Sequence, residues 1–105
     1  MTTMTEIRDY AAKIAERFQP EKIILFGSFA NGSPTEDSDV DLFVMMDFEG
    51  KSYEKATEMR TTFRPPFALD LLVRNNFHLE RRLREDDPFF MDIVNRGIIL
   101  YEGSY

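Results

Sequence analysis

Cysteine is absent from this sequence, so neither a disulfide nor a thiolate metal site can brace the chain. Histidine occurs once, at His78, which leaves no histidine pair for zinc and no hydrolase triad; its expected place is the surface of a capped helix, with no role in chemistry. No apolar run approaches the ~20 residues that a membrane-crossing helix needs. The opening Met1-Thr2-Thr3-Met4-Thr5-Glu6 lacks the basic and apolar segments of a secretory signal. Positive charge is also scarce: 13 Lys and Arg against 19 Asp and Glu leave a formal charge of −6. A long nucleic-acid footprint rests on cations that neutralise phosphates, so this balance argues against one. An acidic chain can still take a nucleotide when metal cations screen the phosphates from its carboxylates. These absences point to a soluble, cytoplasmic protein without a membrane partner.

What is present reads as one domain over 1–105, with helices and strands alternating. Ile7, Tyr10, Ala11, Ile14, Ala15 and Phe18 recur at three- and four-residue intervals, which predicts an amphipathic helix from Thr5 to Phe18 that Pro20 stops. Lys22 to Phe26 is a short β-favouring run that leads into a Gly27-Ser28 turn, and Gly32 to Ser38 has loop composition. Asp39 to Met46 predicts a second strand, Lys51 to Phe63 a helix closed by Pro65-Pro66, and Phe67 to Arg74 a third strand. A helix from Phe77 to about Arg84 and another from Pro88 to Arg96 follow, the latter capped by Asp87 and ended by Gly97. Ile98 to Tyr101 closes the chain as a strand. The expected class is therefore α/β or α+β, a small mixed sheet with helices packed on one side.

The chemistry concentrates in two places. Asp39 and Asp41 form a D-x-D pair at the start of a strand, where side chains two apart share a face and can share metal ions. Hard oxygen ligands suit Mg²⁺ or Mn²⁺, and two such ions can stabilise both the attacking and the leaving oxygen of a phosphoryl displacement. Asp70 is the only charge in the apolar run from Phe67 to Val73; a buried carboxylate there needs a cation, and a metal shared with Asp39 and Asp41 would supply it. In that place Asp70 could also orient an incoming hydroxyl or accept its proton. Gly27 allows backbone to approach a phosphate closely, and the Ser28 hydroxyl adds a donor. No lysine lies between Lys22 and Lys51, so this turn is not a P-loop. Nor is Asp37-x-Asp39-x-Asp41 a calcium hand, because Leu42 and Phe48 stand where glycine and glutamate are required. Arg81, Arg82 and Arg84, with Glu80, Glu85 and Asp86 nearby, read as a solvated charged face. Phe89 and Phe90 are adjacent and must point different ways, so one of them is a candidate to face a partner.

In this order, a strand ending in Gly27-Ser28, a loop, Ser38-Asp39-Val40-Asp41-Leu42 and a later strand with Asp70, the sequence resembles the DNA polymerase β-type nucleotidyltransferase superfamily. Its length is similar to that of the minimal nucleotidyltransferases, and Arg96-Gly97-Ile98-Ile99-Leu100-Tyr101 resembles the family's ending. The resemblance implies that Gly27 and Ser28 contact the triphosphate of ATP, that Asp39 and Asp41 bind two Mg²⁺, and that Asp70 completes the catalytic ion. It also implies an antitoxin that transfers AMP to a tyrosine of a HEPN-type toxin and forms a hetero-oligomer with it. Asn31 departs from the pattern where an arginine is common, which removes a bidentate phosphate contact. Two other functions fit the same residues: an antitoxin that acts by binding alone, and a nucleotidyltransferase for a small molecule.

Overall fold

The computed structural model describes residues 1–103; the last two positions of the domain expected over 1–105 lie outside the described residues. Helix α1 (Met4–Phe18) begins one residue before the expected start at Thr5, because Thr3 and Glu6 form a reciprocal capping box at its N-terminus. It ends at Gln19 in the left-handed conformation, just before Pro20. Strand β1 (Lys22–Phe26) leads into a single turn of helix, α2 (Ser28–Asn31), which fills the stretch between the Gly27-Ser28 turn and the loop from Gly32. Strand β2 (Val40–Met45), helix α3 (Ser52–Thr62) and strand β3 (Leu69–Arg74) follow. Helices α4 (Asn76–Arg84) and α5 (Pro88–Arg96) and strand β4 (Ile98–Glu102) complete the order. As expected, Asp87 caps α5: its carboxylate accepts from the Phe89 N–H at 2.9 Å. Among the described residues, no helix is long and apolar enough to cross a membrane.

The four strands form one mixed sheet in the order β3-β2-β1-β4, with β1 antiparallel to β2 and β4, and β2 parallel to β3. The expected class and mixed sheet are present, but the helices are not confined to one side. Ile23, Leu25, Val40, Leu42, Val44, Leu71 and Val73 face α1 and α3, whereas Ile24, Phe43 and Met45 pack with Leu79 of α4 and with Phe90 and Ile93 of α5. The reason is visible in the strands themselves. Ile23-Ile24-Leu25 and Leu42-Phe43-Val44-Met45 are continuous apolar runs, so both faces of the two central strands need cover. Tyr10 ties the first layer together by donating from its hydroxyl to the Phe63 carbonyl at 2.8 Å.

Gly97 ends α5 for a different reason from the one expected. Its φ is −71°, open to any residue, so no left-handed cap is involved. A Cβ at this position would instead overlap Ile24 and the Ile93 carbonyl, where α5 turns tightly against β1. Gly97→Ala should therefore cost about 1–3 kcal/mol through overpacking. At Gly32, where φ is 78° but space is open, alanine meets only local backbone strain. Urea unfolding of the two variants should rank Gly97→Ala as the more damaging; equal midpoints would contradict this packing.

Candidate active site

The C-terminal end of β1 and the starts of β2, β3 and β4 all lie at the same end of the sheet. Phe26 is opposite Asp41, Asp41 is opposite Asp70, and Leu25 is opposite Ile98. Side chains of residues paired across a sheet share a face, and neighbouring strands are about 4.8 Å apart, so Asp41 and Asp70 present their carboxylates side by side. Their face is the one covered further along by α4 and α5, since they share strand parity with Phe43, Met45 and Leu72.

Asp39 precedes β2 instead of forming part of it. Strict strand alternation therefore does not place it; the loop does. Ser38 accepts from the Thr35 N–H at 2.8 Å through its hydroxyl and donates its own N–H to the Thr35 carbonyl at 3.1 Å, which closes a turn just before Asp39. The Val40 N–H then joins the Ala68 carbonyl at 2.8 Å and starts the β2–β3 pairing.

Asp41 responds to its burial and to both acidic neighbours. Partial burial, then the charges of Asp70 and Asp39, push the Asp41 carboxyl up from 3.8 to about 6. Asp41 is half-buried, while Asp39 and Asp70 are exposed, and among the described residues none of the three forms an ion pair. Among those residues, no three acidic or histidine side chains are already gathered as a metal cluster. The backbone builds in the Asp41–Asp70 pair, and the loop brings Asp39 toward it.

Gly27 has a role here that the sequence did not reveal. It has a φ of 75°, and a Cβ in its place would overlap the Asp41 carboxylate. Glycine is thus required both by conformation and by the close passage of an acidic side chain. Ser28 follows at the start of α2, half-buried, and Asn31 is exposed at the end of the same turn. Beside Asp41, the Phe26 ring meets Phe89 edge-on at 5.8 Å. Phe90 is buried and Phe89 is 50% exposed, so Phe89 is the outward-facing member of the pair. His78 packs half-buried against Phe90, and Arg81 and Arg82 pair with Glu85 on the outer surface of α4; none of these reaches the carboxylates.

A family model described as polymerase beta nucleotidyltransferase matches residues 9–105. The chain belongs to this family. Among its relatives in Methanocaldococcus jannaschii is a candidate protein adenylyltransferase, MJ1379, 34% identical over 62 residues that span 55% of this chain and 60% of that protein. Another candidate protein adenylyltransferase, MJ0128, is 28% identical over 82% of this chain and 96% of its own length. The fold is shared with the crystal structure of a candidate nucleotidyltransferase from Sulfolobus solfataricus. That likeness has a TM-score of 0.64 at 17% identity and covers 93% of this chain and 78% of that one.

The electrostatics around Asp41 predict a stability effect with a definite sign. The folded-state pKa of Asp41 is raised, so its ionisation opposes folding: the penalty is absent below about pH 4, grows up to about pH 6 and is complete above that. In chelator, Asp41→Asn should stabilise the protein at pH 7 by roughly 1–2 kcal/mol, after allowing for solvent screening, and by much less at pH 4. Thermal melts at the two pH values check this; a variant destabilised at pH 7 would contradict it.

Proposed function

We propose that this nucleotidyltransferase is a metal-dependent protein adenylyltransferase that moves AMP from ATP onto a hydroxyl, a tyrosine by preference, of a HEPN-type toxin in the cytoplasm, and so acts as its antitoxin. The observation that carries the reading is the pairing of Asp41 with Asp70 on one face at the open end of the sheet. The names of the methanogen relatives support the adenylyl group and a protein acceptor.

The Asp41–Asp70 pair fits a divalent cation: two hard carboxylates share one face, and Asp39 stands close enough for its charge to add to the raised Asp41 carboxyl. Asp39, Asp41 and Asp70 would hold Mg²⁺ or Mn²⁺, which supplies charge neutralisation at the phosphates and the attacking oxygen. The chain's own groups do the positioning. Gly27, with no side chain, lets the triphosphate pass close to backbone, and the Ser28 hydroxyl donates to a phosphate oxygen. Asp70, the exposed member of the pair, orients the acceptor hydroxyl and takes its proton. The acceptor oxygen then forms a bond to the α-phosphorus, the bond from the α-phosphorus to the bridging oxygen breaks, and pyrophosphate leaves. Holding the reactants in line accounts for much of the rate, because there is little covalent chemistry left for the protein to perform.

Incubation with α-labelled ATP, Mg²⁺ and a co-purified partner should label that partner. Asp41→Asn and Asp70→Asn should each lower labelling at least about 100-fold while the fold is kept, and chelator should abolish it. Absence of label with every nucleotide and metal would overturn the transfer. Neutralisation of the toxin by an Asp39→Asn, Asp41→Asn, Asp70→Asn triple variant would favour action by binding alone.

A further inference from the structure

Strand β3 is an edge of the sheet, and an edge normally exposes a row of unpaired backbone groups. Here two of its carbonyls are occupied by arginines. Arg60 of α3 donates to the Leu69 carbonyl, and Arg74 donates both to the Val73 carbonyl at 2.8 Å and to the Ser52 hydroxyl, which itself donates to the Val73 carbonyl. These bonds anchor the guanidinium groups without neutralising them. Both arginines are half-buried, and among the described residues neither forms an ion pair. The acidic side chains of α3 are engaged elsewhere, Glu58 with Lys55 and Glu54 with the Lys51 N–H. A guanidinium has five N–H donors, so each arginine keeps donors for a further acceptor. What sets these two apart is their shared place: both are half-buried and both are fixed by hydrogen bonds to the same edge strand.

The two arginines line one groove of about 430 Å³, together with Tyr53, Thr57, Leu71 and Leu72. Its position matters more than its size. Arg60 is bound to the residue immediately before Asp70, and Leu72, which lines the groove, lies on the same face as Asp70, so the groove sits at the sheet edge next to Asp70 without including it. Arg74 is four positions further along β3, about 13 Å at the rise of a strand.

We propose that this groove docks an acidic segment of the acceptor polypeptide, whose carboxylates meet Arg60 and Arg74 while the acceptor hydroxyl reaches Asp70. The proposal rests on the protein-adenylyltransferase reading and deepens it. Charge selects the occupant: a carboxylate-bearing chain finds the unpaired guanidinium forks, and a basic one is repelled. Since the Leu69 and Val73 carbonyls are already taken, recognition is through side chains and not through an added strand. Acidic residues should therefore occur within about four positions of the modified hydroxyl, the span from Asp70 to Arg74.

Fluorescence anisotropy tests this with labelled peptides that carry a central tyrosine flanked by glutamates, glutamines or lysines. The wild-type protein should bind the glutamate peptide at least about tenfold more tightly than the glutamine one at low ionic strength. Arg60→Gln combined with Arg74→Gln should remove that preference, whereas Arg81→Gln combined with Arg84→Gln, the same charge change on α4, should keep it. Because Arg60 and Arg74 also brace β3, Thr57→Glu serves as a second variant: it places a negative charge in the groove from an exposed helix position and should also remove the preference. Equal binding of the glutamate and glutamine peptides, an unchanged preference in Thr57→Glu, or full competition by inorganic phosphate would overturn the proposal. A partner labelled from ATP by a protein without glutamate preference would refute the groove and leave the transfer standing; a glutamate preference without any labelling would do the reverse.

Discussion

Two like charges held on neighbouring strands are the constraint around which this molecule is organised. The parallel pairing of β2 with β3 sets Asp41 beside Asp70, and the turn at Ser38 brings Asp39 close enough for its charge to act on Asp41. Burial, and then repulsion from Asp70 and Asp39, together oppose ionisation of Asp41 by roughly 1–2 kcal/mol after solvent screening. A small domain has a total stability of only about 5–15 kcal/mol, so such a penalty is a measurable part of the stability. On the proposed reading, divalent cations relieve it.

The rest of the fold holds that pair in place. Apolar residues on both faces of β1 and β2 are sealed by α1 and α3 on one side and by α4 and α5 on the other, which leaves the strands little freedom to slip. A register slip of one residue would turn Asp41 into the α1 layer and Leu42 toward the site. Gly27 removes the one side chain that would collide with the Asp41 carboxylate. Core, register and glycine therefore act together: the interior fixes where the charges stand, and the open end of the sheet leaves them accessible.

Much of this was legible in the residues. The order of elements, the D-x-D pair and the lone acidic residue in an apolar strand were all readable, because periodicity and an isolated charge are local properties. The β2–β3 partnership was foreseen from the need of Asp70 for a cation, but its parallel sense and register depend on contacts between distant segments. The placement of Asp39 before the strand was hidden because loop and strand both tolerate Ser-Asp-Val-Asp. Two-sided helix cover could have been read from the unbroken apolar runs in β1 and β2, which a one-sided sheet would not need. The second task of Gly27, and the arginines plugging the edge of β3, required knowledge of which side chain passes which backbone atom.

The chain belongs to the polymerase beta nucleotidyltransferase family, and the proposed function puts that family's chemistry at the paired carboxylates. On the proposed reading, an acidic protein turns its own charge to use: the carboxylates recruit cations at one end of the sheet, while the edge arginines form a separate cationic surface for an acceptor. The central claim is that Asp41 and Asp70 share one electrostatic site that divalent cations complete. The most direct measurement is an NMR titration of the Asp41 side-chain carboxyl, with and without Mg²⁺ and a non-hydrolysable ATP analogue, in wild type and in Asp70→Asn. The account predicts titration near pH 6 in the unliganded protein, a lower value in Asp70→Asn, and a clear drop when cation and nucleotide are added. An Asp41 carboxyl that titrates near 3.8 and is indifferent both to Asp70 and to Mg²⁺ would contradict it.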